Sequence, residues 1–219
     1  MIRIGLLIPK TNLTVEYELQ KLISNGYFNI KSFVFYTFKL DYKINYKQNK
    51  IKYLEDIGKD SVNKIEDMKY VGIDKAYFFC TTSAVINSDI VVDNNPMNFL
   101  IEEAKNKKIT KCLLITPYNE FLGKKIEREL NESNIKVTRV INLNLLNTDE
   151  YFEFGIKKLK DFIIKNYKKS DENIIISCTN LPTISIIDDL KIKLKTNIIS
   201  SNSCMFEKIK NDVLGGKNE

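Results

Sequence analysis

The 219-residue chain contains no histidine. A protein without histidine cannot have a Ser-His-Asp triad, a Cys-His pair or a histidine metal ligand. Proton transfers near neutral pH would then depend on Cys, Asp, Glu, Lys or Tyr side chains. The missing residue type therefore restricts any enzyme of this sequence to a few mechanisms.

Long apolar runs are also missing. No stretch reaches the roughly 18 apolar residues that a membrane span needs, and the apolar start at residues 1–9 is too short for a signal peptide. We therefore expect a cytoplasmic protein with no membrane partner. Its four cysteines, Cys80, Cys112, Cys178 and Cys204, form no Cys-x-x-Cys pair. We expect reduced thiols and neither a disulfide framework nor a zinc site.

The chain carries a formal net charge of +6, mostly from lysine. Its basic stretches, residues 157–160 (KKLK) and 191–195 (KIKLK), lie on amphipathic patterns and do not form one dense patch. This distribution is typical of a solvated surface, so we expect no nucleic-acid partner. A basic balance would also help an anionic substrate to reach its cleft.

Apolar strand patterns alternate with amphipathic helix patterns along nearly the whole chain. The predicted strands are residues 3–8, 30–38, 75–79, 112–116, 136–141, 173–177 and 197–200. The predicted helices are residues 14–24, 53–68, 97–106, 120–132, 149–167 and 184–194. Such alternation indicates an α/β fold with parallel sheets and helices on both faces.

Two of the predicted strands end in the same way. Residues 76–83 (AYFFCTTS) and 174–180 (IIISCTN) are apolar runs that stop at Cys-Thr. Open α/β sheets bind ligands at the carboxyl ends of their strands. Because the pattern occurs once in each half, we expect Cys80 and Cys178 to face one another across a cleft and to perform acid/base chemistry without a cofactor.

A second correspondence supports two related halves. Residues 6–9 (LLIP) match residues 113–117 (LLITP), and each is followed by a helix and later by its Cys-Thr segment. We expect four loops to converge on the cleft, at residues 9–14, 80–83, 116–119 and 178–180. The predicted domains are a first α/β lobe of residues 1–94 plus 203–219 and a second lobe of residues 95–202.

These motifs resemble those of the aspartate/glutamate racemase superfamily, most closely its branch of maleate cis-trans isomerases and arylmalonate decarboxylases. The resembling segments, in family order, are residues 9–16 (PKTNLTVE), 80–83 (CTTS), 116–118 (TPY), 177–183 (SCTNLPT) and 200–202 (SSN). The resemblance implies two similar Rossmann-like lobes related by pseudo-two-fold symmetry, with the active site between them. It also implies no cofactor, a small anionic carboxylate substrate and a homo-oligomer, most simply a dimer.

The resemblance further implies residue roles. Cys80 and Cys178 match the two cysteines that face the substrate from opposite sides, Asn12 matches a carboxylate-binding asparagine, and Tyr118 matches a tyrosine that holds the carboxylate or enediolate. Further donors are implied at Thr81, Thr82, Ser83, Thr179 and Asn180. Another asparagine of the family follows the fifth strand, where this chain offers Asn142, Asn144 or Asn147, and we favour Asn147.

Departures from the family pattern bear on the reaction. Lys10-Thr11 stands where Ser-Ser is common, and Lys10 either meets a second carboxylate or points outward. The absence of histidine and the Thr179-Asn180 pair after the second cysteine argue against an ordinary amino-acid racemase. The resembling decarboxylases keep only the second cysteine, so two cysteines favour isomerisation or racemisation. Cys112 and Cys204 are expected to be packing residues.

The sequence thus predicts a cofactor-independent isomerase of a small dicarboxylate, with conversion of maleate to fumarate as the specific hypothesis. The alternatives are a cofactor-independent racemase of an amino acid, a hydantoin or a related α-substituted acid, and an arylmalonate-type decarboxylase. A non-catalytic protein that binds a small acid is a further alternative.

Overall fold

The computed structural model describes residues 1–28, 31–41, 49–87 and 92–215. For residues 213–215 it describes the backbone only. Its strands are β1 (Ile2–Pro9), β2 (Phe33–Leu40), β3 (Lys75–Phe78), β4 (Lys111–Thr116), β5 (Lys136–Asn142), β6 (Ile174–Ile176) and β7 (Ile198–Ser200). Its helices are α1 (Thr14–Ser24), α2 (Lys50–Tyr70), α3 (Thr81–Ile86), α4 (Pro96–Asn106), α5 (Glu120–Glu132), α6 (Thr148–Lys157), α7 (Leu159–Asn166), α8 (Ile184–Leu194) and α9 (Ser201–Gly215).

The described strands form two parallel sheets. The first has the order β2-β1-β3, and the second has the order β5-β4-β6-β7. The two orders are the same apart from β7, since β1 corresponds to β4, β2 to β5 and β3 to β6. This confirms the predicted α/β class with two similar parallel sheets.

The central strands owe their continuous apolar sequences to helices on both faces. In β1, residues 4–9 are all buried, and in β4, residues 112–116 are all buried. A strand with one solvated face would instead alternate apolar and polar side chains. These two strands form the interior of their sheets and fix the positions of the loops that follow them.

Helix bounds follow the sequence closely where capping signals are strong. Helices α1, α5 and α8 have the predicted bounds. Helix α4 begins with Pro96 at its first position, and the side-chain oxygen of Asn95 accepts hydrogen bonds from the backbone N–H groups of Met97 and Asn98. Proline at the first helical position and asparagine before it are favourable start signals.

Two predicted elements differ from the structure. Residues 80–83, expected as a loop, lead into α3, which starts at Thr81 directly after Cys80. The helix expected over residues 149–167 is two helices, because the backbone of Lys158 (φ −128°, ψ −23°) leaves the helical region between α6 and α7. The start of the strand expected at residue 30 lies outside the described residues, and β2 is described from Phe33.

The last helix returns to the first sheet. The hydroxyl of Tyr77 in β3 donates a hydrogen bond to the Asp212 carboxylate in α9 at 2.7 Å. Helix α9 also packs against α4 and β7, so the assignment of the C-terminal residues to the first lobe and the domain boundaries stay predictions. In the described part of the chain, no helix combines the length and the apolar character that a membrane crossing requires.

Candidate active site

The two Cys-Thr segments follow corresponding strands, one in each sheet. After β3, the N–H of Phe79 bonds to the Leu7 carbonyl at 2.8 Å, and Cys80 comes next. After β6, the N–H of Ser177 bonds to the Ile115 carbonyl at 2.9 Å, and Cys178 comes next. Each thiol is therefore delivered at the carboxyl end of a parallel strand, where sheets of this kind bind ligands.

Both cysteines line one cavity, which encloses about 360 Å³ of space including its mouth. Its wall combines polar groups from strand ends with apolar side chains of α2, a composition typical of small-molecule sites. The lining residues are Pro9, Thr11, Asn12, Tyr53, Leu54, Ile57, Cys80, Thr82, Tyr118, Thr148, Tyr151, Cys178, Thr179 and Asn180. The structure thus brings together seven of the ten site residues predicted from the sequence.

Asn12 and Thr179 link the two sheets at the cavity wall. The Thr179 hydroxyl donates to the Phe79 carbonyl at 2.9 Å and accepts from Asn12 Nδ2 at 3.1 Å. Asn12 Oδ1 accepts from the N–H groups of Thr14 and Val15 at the start of α1. An asparagine amide has two N–H donors, and only one of them is used by Thr179. The second is suitable for a carboxylate in the cavity.

Asn180 connects three loops. Its Oδ1 accepts from the Leu13 N–H at 2.8 Å, while its Nδ2 donates to the Thr148 carbonyl at 3.0 Å and the Thr11 carbonyl at 3.4 Å. Its backbone N–H points to the sulfur of Cys178 at 3.2 Å. The side chain therefore holds the cavity wall together, and the backbone contributes a donor to the thiol.

Each thiol has its own set of donors. The hydroxyl of Thr82 lies 3.8 Å from Cys80 Sγ, and the backbone N–H groups of Thr82 and Ser83 also favour the charged sulfur. Cys178 receives the N–H of Asn180 and the phenolic O–H of Tyr118. Hydrogen bonds donated to a thiolate lower its pKa, and they become stronger when the sulfur is charged.

Burial opposes ionisation of both thiols. It raises the pKa of Cys80 to about 11 and that of Cys178 to about 12, in spite of the donors and of a nearby lysine, Lys50, that lower them. The pKa of Tyr118 is raised well above its ordinary value, first by burial and then by the two cysteines. Tyr118 therefore stays a neutral phenol, which can donate its proton in a hydrogen bond.

Three predicted site residues do not line the cavity. The Thr81 hydroxyl pairs with the Ser201 hydroxyl at 3.0 Å, and the Ser83 hydroxyl donates to the Leu54 carbonyl at 2.6 Å. The Asn147 amide donates to the Glu150 carboxylate at 2.8 Å. Asn142 accepts from the Thr116 hydroxyl, and Asn144 donates to the Asn142 carbonyl. The residue after Asn147, Thr148, is the one from this segment that lines the cavity.

Other residues named from the sequence have separate places. Lys10 forms an exposed ion pair with Asp41 at 2.8 Å. Of the two expectations for Lys10, the structure therefore has the one in which the side chain points outward. Cys112 lies buried in β4, and Cys204 lies buried in α9. All four cysteines are free thiols. Among the described residues, no three His, Cys, Asp or Glu side chains come together as a metal-binding group.

Sequence reasoning missed the aromatic side of the cavity. Tyr53 comes from α2 and Tyr151 from the first turns of α6, and both are buried. The rings of Tyr118 and Tyr151 meet edge to face with their centroids 6.0 Å apart. Neither helix residue follows a strand end, so the rule that identified the cysteines does not apply to them. No local sequence pattern marks these two tyrosines as cavity residues.

The arrangement defines a class of site: two thiols from corresponding strands of two similar sheets, with neutral donors beside each. The fold that carries this site is similar to that of several solved enzymes. The chain matches the maleate isomerase Iso of Pseudomonas putida S16, in a variant with one cysteine replaced by alanine and crystallised with maleate. That match has a TM-score of 0.83 and 14% identity, and it covers 97% of this chain and 92% of the other.

Two further structures are similar. The maleate cis-trans isomerase of Nocardia farcinica, a cysteine-to-serine variant with a covalently bound succinylcysteine intermediate, has a TM-score of 0.78 at 14% identity and covers 98% and 93% of the two chains. A liganded double variant of arylmalonate decarboxylase has a TM-score of 0.75 at 14% identity, covering 100% and 95%. No protein-family model and no curated protein matches the sequence. The chain has the fold of these enzymes, as the resemblance predicted.

Proposed function

We propose that the chain is a cofactor-independent isomerase that acts on a small dicarboxylate with Cys80 and Cys178, and that maleate is its substrate and fumarate its product. One observation carries the proposal: two thiols from different sheets line the same small cavity, each with hydrogen-bond donors directed at its sulfur. The similarity to structures that hold maleate or a succinylcysteine supports it.

In the proposed reaction, the sulfur of one ionised cysteine forms a bond to an alkene carbon of maleate. The π electron pair moves to the neighbouring carbon and its carboxylate, which becomes an enediolate. The former double bond is now single and rotates. Return of the electron pair rebuilds the double bond and expels the thiolate, which leaves fumarate. The reaction needs no redox partner, because fumarate is an isomer of maleate and the thiolate that adds is released unchanged.

The cavity provides donors where negative charge develops. We assign four donors to the enediolate and carboxylates: the Tyr118 hydroxyl, the second N–H of Asn12, the hydroxyl of Thr82 and the S–H of the cysteine that does not add to maleate. Both cysteines therefore take part in the reaction. Removal of one fixed donor at a developing oxyanion typically lowers the rate about 10²- to 10³-fold. The carboxylate-binding roles of Thr81, Ser83 and Asn147 stay predictions, since their side chains bond elsewhere in the described structure.

Racemisation of an α-substituted acid is a second candidate, because a thiolate and a thiol on different sides of a carbon can remove one proton and return another. The origin of the two cysteines in different sheets favours racemisation over decarboxylation.

The cytoplasmic location and the homo-oligomeric state belong to the same proposal. Four free thiols suit a reducing compartment. Light scattering of the purified protein measures the oligomeric state.

Proton NMR of the purified chain with maleate in deuterated water tests the proposal, with amino and hydroxy diacids in parallel tubes. The expected result is fumarate without deuterium at its alkene carbons. Deuterium entering the α-position of another acid would replace isomerisation by racemisation. Tight binding of an acid without any turnover would instead identify a binding protein.

A further inference from the structure

Lys50, the first residue of α2, lies beside the cavity at its aromatic wall. Its ammonium nitrogen donates a hydrogen bond to the Tyr151 hydroxyl at 2.7 Å. The same nitrogen is 5.5 Å from the ring centroid of Tyr118 and 5.4 Å from that of Tyr151. Aromatic faces attract cations at such distances. Two cavity-lining tyrosines therefore hold a partly buried positive charge next to the site.

The charge of Lys50 acts on both thiols. Burial lowers the pKa of Lys50, and the two cysteines oppose this effect. Reciprocally, Lys50 lowers the pKa of Cys80 and of Cys178 against the effect of burial. Within the described ranges, the other titratable groups near the thiols are Tyr118, Tyr53 beside Cys80 and Tyr151 beside Tyr118. Among the groups named, only lysine carries a positive charge when protonated.

We infer that Lys50 is a positioning residue of this site: its ammonium group, held by Tyr118 and Tyr151, provides the positive charge that lets a cavity thiol give its proton to solvent and become the reactive thiolate. A lone charge in a buried site is costly, whereas an ammonium and a thiolate together stabilise one another. The inference rests on the proposed function for its biological purpose, but the ionisation itself is measurable without turnover.

The test is the pH dependence of alkylation by iodoacetamide, a neutral reagent, followed at each cysteine by peptide mass spectrometry on the full chain. In Lys50→Met, whose unbranched side chain is one atom shorter and uncharged, we expect the faster of Cys80 and Cys178 to react about tenfold more slowly at pH 7, corresponding to a pKa about one unit higher. Lys50→Arg should retain the rate of the unmodified chain. Lys59→Met, which removes a lysine from an exposed position of the same helix, is the matched control and should react like the unmodified chain.

Lys50→Gln keeps a donor for Tyr151 but removes the charge, so it separates charge from hydrogen bonding and replaces Lys50→Met if that variant does not fold. It should be as slow as Lys50→Met. Alkylation at the unmodified rate in folded Lys50→Gln, or slow alkylation in folded Lys50→Arg, would overturn the inference. If the variants behave as expected while maleate is not isomerised, the role of Lys50 stands and the proposed function fails.

Discussion

Glu18, on α1, is a fully buried carboxyl group that holds parts of both halves. It accepts hydrogen bonds from the N–H groups of Thr183 and Ile184 at the start of α8 and from the Asn202 amide in α9. Burial raises its pKa from an ordinary value near 4.5 to about 7, although these donors lower it. Glu18 is therefore neutral in the folded protein under conditions in which an unfolded chain would ionise it.

This raised pKa predicts a pH dependence of stability. The folded state binds the Glu18 proton more tightly, so this contribution is fully present below pH 4.5 and is lost as the pH rises towards 7 and above. The full contribution corresponds to about 3 kcal/mol. In Glu18→Gln, which cannot titrate, the melting temperature should fall less steeply over this pH range than in the unmodified chain.

The matched control is Glu16→Gln on the same helix, where the carboxylate is partly exposed and pairs with Lys39 at 2.5 Å. Between pH 4.5 and 7, the melting temperature of this variant should change with pH in the same way as that of the unmodified chain. If the melting temperature of Glu18→Gln also changes with pH in the same way as that of the unmodified chain, Glu18 has an ordinary pKa in the folded protein.

At the residue scale, the sequence predicted the polar groups that follow strand ends and missed those that come from helices. Asn12, Tyr118 and Thr179 follow β1, β4 and β6, and all three line the cavity. Lys50 and Tyr151 lie in helix starts, and tertiary packing places these beside the cavity. Strand ends of one sheet share an edge by construction, whereas the direction of a helix depends on tertiary contacts that no local pattern contains.

At the scale of elements, the contact of α2 with α3 determines where Cys80 lies. Two donors of α3 and its C-terminal flank, the Ser83 hydroxyl and the Asn87 amide, both bond to the Leu54 carbonyl in α2, at 2.6 and 3.1 Å. Gly58 lies at this contact, and a Cβ atom added there would come within 2.5 Å of Asn87 Nδ2 and 2.8 Å of Ser83 Oγ. The helices approach this closely because position 58 has no side chain.

We predict that Gly58→Ala destabilises the protein by about 1–3 kcal/mol, because the methyl group displaces α3. It should also reduce turnover, since Cys80 caps that helix. An exposed glycine-to-alanine change in a helix would instead stabilise it by about 1 kcal/mol, so the sign of the change is the test. Urea unfolding measures it, with the exposed neighbour Lys59→Ala as the control. Increased stability of Gly58→Ala would contradict the close contact.

The two element corrections have physical reasons. Helix α3 has only six residues, which is too short for an apolar period to show in the sequence, and its first turn coincides with the Cys-Thr motif. Between α6 and α7 the hydrogen bonds continue, since Lys158 N–H bonds to the Phe154 carbonyl and Phe162 N–H to the Lys158 carbonyl. Because the ladder and the apolar spacing both persist, the sequence pattern contains no sign of the bend at Lys158.

At the scale of the whole molecule, the cavity exists because the two sheets are joined by a few buried hydrogen bonds. The Thr179 hydroxyl, bonded to Phe79 of the first sheet and to Asn12, lies at the centre of this junction. A buried donor or acceptor left without a partner costs about 1–3 kcal/mol. The stability of the junction should therefore depend strongly on this single hydroxyl group.

We predict that Thr179→Val, which has nearly the same shape, lowers the free energy of unfolding by about 2–4 kcal/mol, because both partners lose their bond. Thr138→Val is the matched control. Its hydroxyl makes one hydrogen bond, to the Cys112 carbonyl at 3.1 Å, from an exposed position in β5, so one partner is lost where Thr179 loses two and the effect should be smaller. If the two substitutions lower the free energy of unfolding equally in urea, the stability of the protein does not depend especially on the Thr179 hydroxyl.

The duplicated architecture was predictable because the sequence contains two copies of the same strand endings. The Cys-Thr and Leu-Leu-Ile segments occur in the same order in both halves, and the sheets repeat the order β2-β1-β3 as β5-β4-β6. The seventh strand, β7, extends only the second sheet, so the halves are not identical. What the sequence did not predict is the width of the cleft and its aromatic wall, which depend on how the halves pack.

The central claim is that Cys80 and Cys178 act together on one small dicarboxylate. Its most direct test is the rate of conversion of maleate to fumarate, followed by proton NMR, in Cys80→Ala, Cys178→Ala and Cys112→Ala. The account predicts that either of the first two substitutions reduces the rate to background while the protein stays folded, and that Cys112→Ala, in the interior of β4, retains turnover. Full activity in a folded Cys80→Ala or Cys178→Ala variant would contradict it.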